Sequence, residues 1–155
     1  MKKLFVILTL IFAIPGMAAD LSADLVSAVM AGKVSFTRDL IAAGADVNAV
    51  TQAERPVIVL AAANGNNRTL RALIIGGADI NKVDKAGNSA LMEAAAFGYE
   101  KSVELLIASG ADVNLKNAAG ESALKKATRA ERNKIVEMLT KAGATEEAAA
   151  EGEAK

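Results

Sequence analysis

The chain has neither cysteine nor histidine among its 155 residues. Without cysteine there can be no disulfide, so stability must come from packing alone, even in an oxidising compartment. Together the two absences remove the usual general base, the usual nucleophile and the usual transition-metal ligands. Haem carriage is disfavoured on the same ground, because haem iron commonly takes His or Cys and only methionines are on offer. Charge of one sign is also missing, with 18 basic and 18 acidic residues. That balance gives no electrostatic reason to expect nucleic acid or anionic lipid as the main partner. The glycines of the repeats recur at fixed phases instead of clustering, so no glycine-rich phosphate loop is present. No catalytic residue, metal ligand or cofactor is expected, and the chain reads as a non-enzyme.

The one long apolar run, Leu4 to Ile14 with Thr9 its only polar member, has eleven residues. A bilayer span takes about 20. Lys2 and Lys3 precede the run, Pro15-Gly16 ends it, and Gly16-Met17-Ala18 places small residues where a signal peptidase reads them. This is the plan of a secretory signal peptide over residues 1–18, cut after Ala18 or after Ala19. The short basic start points to bacterial export, and the mature chain is expected in the periplasm or secreted, with no stable membrane anchor. Losing Lys2 and Lys3 leaves 16 basic and 18 acidic residues, a net of −2.

What the sequence does have is repetition. Gly44-Ala45-Asp46-Val47-Asn48 returns as Gly77-Ala78-Asp79-Ile80-Asn81 and Gly110-Ala111-Asp112-Val113-Asn114. An eroded copy, Gly143-Ala144-Thr145, follows at the same step of 33 residues. Between these copies the clearest unit runs from Asp84 to Gly110. Asp84–Gly87 reads as a turn, Ser89 as a hydroxyl cap, Gly98 as a helix end, and Val103, Leu105, Leu106 and Ile107 as an apolar helix face. Ala61-Ala62, Ala94-Ala95 and Ala127 recur where first helices press together, with Thr128 a departure. Ala28 and Gly32 extend the phase one step back.

These residues resemble the ankyrin repeat family, whose pattern Asp-x-x-Gly-x-Thr-Pro-Leu-His-x-Ala-Ala-x-x-Gly is met here with Ser89-Ala90-Leu91-Met92 at its centre; 33 is also the family's period. The resemblance implies an all-α solenoid of about four helix–turn–helix repeats joined by β-turn loops and capped at both ends. The repeats fall at about 20–49, 50–82, 83–115 and 116–145, with a flexible Ala/Glu-rich tail over 146–155. A terminal repeat needs a polar outer face, which Lys134, Glu137, Thr140 and Lys141 supply, while Ile135, Val136, Met138 and Leu139 face inward. Repeat two departs from the pattern: Glu54 stands where Gly87 and Gly120 stand, and Arg55-Pro56-Val57 replaces the capping segment. Three alternatives follow: a remodelled turn, strain tolerated for a contact of Glu54 or Arg55, or drift in a surface loop.

The resemblance also implies that Asp46, Asp79 and Asp112 hold turns rather than act as acids. It places the partner on the concave face, at loop positions Gln52, Ala53, Arg55, Lys85, Ala86, Asn88, Ala118, Ala119 and Glu121. On the helices it adds Ala63, Asn64, Ala96, Phe97, Arg129 and Ala130. Of these, Gln52, Arg55, Asn64, Lys85, Asn88, Phe97, Glu121 and Arg129 are the candidate partner-binding residues. Phe97 is either an anchor for a partner or a ring leaning onto Asn64 or Arg129. Tyr99 is expected to pack locally and Phe36 to lie in the core of the first helix hairpin. The partner expected is another periplasmic or secreted protein, an enzyme, met by a chain that is monomeric when free. Its role is read as an immunity inhibitor of a cell-wall peptidase or lipase. The alternatives are an accessory protein for a periplasmic enzyme such as a catalase, or a general envelope scaffold.

Overall fold

The computed structural model describes residues 15–146. Eight helices make four antiparallel pairs in chain order: α1 (Pro15–Met30) with α2 (Val34–Ala42), α3 (Val57–Ala63) with α4 (Asn67–Ile75), α5 (Ala90–Phe97) with α6 (Glu100–Ala108), and α7 (Ala123–Arg129) with α8 (Asn133–Lys141). The first helices stack in the order α1, α3, α5, α7 and the second helices in the order α2, α4, α6, α8, giving two layers. Among the described residues there is no strand, only the isolated bridges Val50 to Pro56 and Val83 to Ser89 that close two of the connecting turns. The chain is therefore an all-α solenoid of helix–turn–helix repeats. The expected signal segment, apart from its end at Pro15–Ala18, lies outside the described residues, as does the tail beyond Glu146. Proline has no N–H to lose at a helix start, and α1 begins at Pro15 and runs on past Ala18 and Ala19.

Small residues set the spacing of the inner layer. Ala61, Ala62, Ala94, Ala95 and Ala127 are fully buried between neighbouring first helices, and a larger side chain there would force the repeats apart. Between the layers Leu25, Leu70, Leu73, Leu91, Leu106, Ile135 and Leu139 are buried. Each contributes about 1.5–3 kcal/mol relative to exposure. Ser89 and Ser122 cap α5 and α7 by accepting the N–H of Met92 and Lys125. Pro56 takes that position in α3 and offers no side-chain cap.

The repeated Gly-Ala-Asp-Val-Asn motif joins one repeat to the next. Within each copy the aspartate Oδ1 accepts the N–H two residues on, at 2.8 Å for Asp46, 3.0 Å for Asp79 and 2.9 Å for Asp112. The asparagine then reaches forward. Asn48 Oδ1 accepts the Asp79 N–H at 2.8 Å, Asn81 that of Asp112 at 2.9 Å, and Asn114 that of Thr145 at 3.0 Å. The last rung lands on the eroded fourth copy, which shows why a backbone amide is all that this copy must retain.

Phe36 corrects one expectation. It is 44% exposed, whereas α2 buries Thr37 and Leu40. Its counterparts one, two and three periods on, Thr69, Ser102 and Ile135, are buried. These positions turn toward the preceding repeat; Ser102 Oγ, for example, donates to Asn67 Oδ1 of the repeat before it at 2.6 Å. Among the described residues no repeat precedes α1 and α2, so Phe36 faces the end of the stack.

Candidate functional site: the loop tips and the first-helix face

The turns that carry the candidate residues share one construction. In the second, third and fourth repeats a residue four places on closes the turn: Thr51 N–H donates to Arg55 O, Asp84 to Asn88 and Asn117 to Glu121. In each, the residue three places on also donates back, Glu54 to Thr51, Gly87 to Asp84 and Gly120 to Asn117. Side chains reinforce them. Asp84 Oδ1 accepts from Ala86 and Asn88, Asn117 Oδ1 from Ala119 and Glu121, and Thr51 Oγ1 from Arg55. The turn at Glu54 is thus kept, not remodelled, and Glu54 holds a φ of 58° where its counterparts are glycine. Left-handed backbone costs a side-chain-bearing residue about 1 kcal/mol.

Arg55 explains what that turn positions. Its guanidinium donates to Glu93 Oε2 at 2.5 Å, while Lys126 Nζ donates to Glu93 Oε1 at 3.3 Å. One carboxylate on α5 therefore ties the turn of repeat two to α7 of repeat four. Glu93 and Lys126 are both buried, and Arg55 is one-third exposed. Arg55 Nε, 3.9 Å from Asp84 Oδ2, has no hydrogen-bond acceptor. The same pair of positions in the next two loops is Asn88 and Asn117, joined at 2.9 Å by neutral amides. Sequence reasoning missed Glu93 and Lys126. Their signal was available: a glutamate inside the buried run Ala90–Ala95 and a lysine 33 residues on, at the same phase, have opposite charge.

The eight candidate residues divide accordingly. Gln52, Asn64, Lys85, Phe97 and Arg129 are exposed. Arg55, Asn88 and Glu121 are half-buried and engaged internally, Asn88 with Asn117 and Glu121 with Arg129. Phe97 is 53% exposed at the end of α5. Its ring stacks on Tyr99 at 6.1 Å between centroids and 29° between planes. Tyr99 in turn lies over Gly65 of the preceding repeat. The aromatic pair is thereby fixed to two repeats, with its outer ring in solvent. Further exposed apolar side chains on the loop and first-helix side are Met30, Val50 and Val83. Among the described residues no cluster of His, Cys, Asp or Glu could hold a metal ion, and no helix is long and apolar enough to cross a membrane.

Comparison with known proteins agrees with this geometry. The family profile described as ankyrin repeats (3 copies) matches residues 25–117 and, in an overlapping placement, residues 58–149. The chain belongs to the ankyrin repeat family. It is a protein–protein interaction module, the class that this family defines. No curated protein matches the chain significantly.

Proposed function

We propose that this chain is an exported, periplasmic ankyrin module that binds and occludes a secreted or periplasmic hydrolase of the cell-wall peptidase or lipase class, protecting the cell that makes it. The observation that supports it best is Phe97. A half-exposed ring, held in place by Tyr99 and by the Gly65 contact, is a preorganised anchor in the middle of a face whose backbone is tied repeat to repeat. Preorganised surfaces without reactive groups suit the blocking of a cleft. The basic, apolar and small-residue plan of residues 1–18 supports export. Support of a periplasmic enzyme such as a catalase, and envelope scaffolding, use the same face and differ in outcome.

The test is affinity capture from periplasm with the chain from Ala19 onward, beside a Phe97→Ala, Arg129→Ala version. Inhibition expects a one-to-one complex with a hydrolase, lost in the double variant, and a hydrolase silenced at saturation. A captured hydrolase that keeps full activity when saturated rules inhibition out. Peroxide sensitivity of a deletion strain with normal hydrolase tolerance favours the catalase-assisting role instead.

A further inference from the structure

Asn64-Gly65 is the only Asn-Gly pair in the chain, and it lies where α3 ends. Asn64 is exposed, with φ −88° and ψ −3°. Gly65 follows with φ 64°. Its N–H donates to Ala62 O at 3.1 Å, and the Asn66 N–H donates to Ala61 O at 3.1 Å. Those two bonds make a Schellman end, which needs a left-handed residue just past the helix. The fold therefore requires the glycine. It does not require the asparagine, because Ala31, Phe97 and Ala130 stand at the same phase in the other repeats.

An asparagine before glycine carries its own chemistry, since no side chain on the next residue obstructs attack by its amide nitrogen. The Gly65 nitrogen gives its proton to water and bonds to Asn64 Cγ, the Cγ–Nδ2 bond breaks, and the leaving nitrogen takes up a proton and departs as ammonia. Water then opens the succinimide, at Cγ to give aspartate or at the Asn64 main-chain carbonyl carbon to give isoaspartate. Every other asparagine in the chain is followed by a residue that has a side chain. The folded geometry holds the reaction back. At a ψ of −3° the Gly65 nitrogen eclipses the Asn64 nitrogen, whereas ring closure needs it beside Cβ. Swinging it there breaks the bond to Ala62 O and moves Gly65 against Tyr99, whose ring would stand 2.6 Å from a Cβ on that glycine.

We infer that Asn64 is a site of spontaneous deamidation and that Tyr99 is the latch that sets its rate. The reaction runs from conformers in which the end of α3 has opened and the ring has lifted, a local opening of the kind native proteins undergo. Its product places a carboxylate at the C-terminus of α3, the negative end of the helix dipole, and so weakens the helix end that had restrained it. Isoaspartate also adds a methylene to the backbone ahead of Gly65, which prevents the glycine from settling back under the ring. The inference goes beyond the docking reading and does not depend on which protein the face receives.

The chain from Ala19 onward, aged in mildly alkaline buffer both folded and in urea, tests this. Peptide mass spectrometry with isoaspartyl methyltransferase labelling follows each asparagine. Residue 64 should convert before any other in both samples. Its conversion should be slower by about tenfold or more in the folded chain, and that slowing should match the hydrogen-exchange protection of the Gly65 amide. Tyr99→Ala should quicken the folded reaction about threefold or more, while Tyr99→Phe, which keeps the ring, should leave it within about twofold. If Tyr99→Ala does not fold, the match between the two wild-type measurements still decides. Conversion first at another asparagine, or none at residue 64 in the folded chain after its Gly65 amide has exchanged, overturns the site. Equal rates folded and in urea, or a folded Tyr99→Ala that reacts no faster than wild type, overturn the latch and with it the inference.

Discussion

Tyr99 covers Gly65 so closely that a Cβ on the glycine would stand 2.6 Å from the ring. The same arrangement recurs one period before and after: Asn66 covers Gly32, and Arg132 covers Gly98, at 2.5 and 2.9 Å from an added Cβ. Each of these glycines has positive φ, and each is shielded by a side chain of the following repeat. The fourth member of the series is Glu131, with φ 58°. No repeat follows it among the described residues, so its side chain has room, and only the backbone strain remains.

Two substitutions separate the two costs. Gly65→Ala should destabilise by clearly more than the roughly 1 kcal/mol of left-handed strain, because the Tyr99 ring must also shift. Glu131→Gly should stabilise by up to about 1 kcal/mol. Urea unfolding at neutral pH measures both. A loss for Gly65→Ala of no more than about 1 kcal/mol would show that the ring moves freely and that Phe97 is not held.

The turn of repeat two poses the same comparison on the loop side. A Cβ on Gly87 would meet the Ala118 backbone nitrogen at 2.9 Å, where the Ala118 N–H donates to Ala86 O at 3.0 Å and draws the two loops together. Among the described residues no corresponding bond joins Lys85 to Ala53, and Glu54 points into solvent. Glu54→Gly is therefore expected to raise stability by about 1 kcal/mol, and Gly87→Ala to lower it by more, as read from paired melting curves.

Glu93 holds two cations from two other repeats, and removing it leaves both without their acceptor. Loss of one member of a fully buried ion group costs about 3–5 kcal/mol. Arg55 is one-third exposed and can turn to water, so Glu93→Ala should cost about 2–3 kcal/mol. A double variant that also replaces Lys126 with Met should recover part of that loss. Denaturant unfolding of the single and double variants measures the coupling; strict additivity would mean that Lys126 does not depend on Glu93.

The asparagine ladder carries the coupling between repeats. Asn81→Ala removes the acceptor for the Asp112 N–H but leaves that N–H near water, so the loss should be about 0.5–1.5 kcal/mol. Because repeat arrays unfold as coupled neighbours, the unfolding transition should also broaden. Hydrogen exchange at the Asp112 amide tests it directly and should quicken in the variant.

At the capping helix, Lys134 donates to Glu100 of the preceding repeat. That hydrogen bond first, then the charge of Glu100 and of Glu104, raises the Lys134 pKa above the ordinary lysine value. A raised folded-state pKa means that the pair's contribution is fully present below the unfolded value of about 10.4 and is lost as pH rises through the folded value. The stability difference between wild type and Glu100→Gln should thus be constant near neutrality and shrink above about pH 10.4. Melting temperatures of the two proteins across alkaline pH give the comparison.

Much of this was legible in the order of residues. Ser89, Gly98, the alanine pairs and the apolar faces of the second helices act through neighbours a few residues away, and a period of 33 repeats those local rules until the stack is unavoidable. Asp46, Asp79 and Asp112 are assigned to turns through the family resemblance, and each does accept the N–H two residues on. Phe36 could not be placed, because its position is a core position everywhere except at the end of the stack, and periodicity alone does not see an end. Arg55 stood out as a departure from the pattern, yet its partner Glu93 lies 38 residues away on another repeat.

The sequence by itself determined the helix pairs, the turns and the stacking phase, because each depends on backbone conformation and on side-chain size at short range. Only the tertiary structure decided which side chains remain available to a partner. Arg55, Asn88 and Glu121 are engaged within the stack, while Phe97, Met30 and Val50 stay open, since availability depends on what lies one repeat away in space. That distance is set by packing between helices, and no single stretch of the chain encodes it.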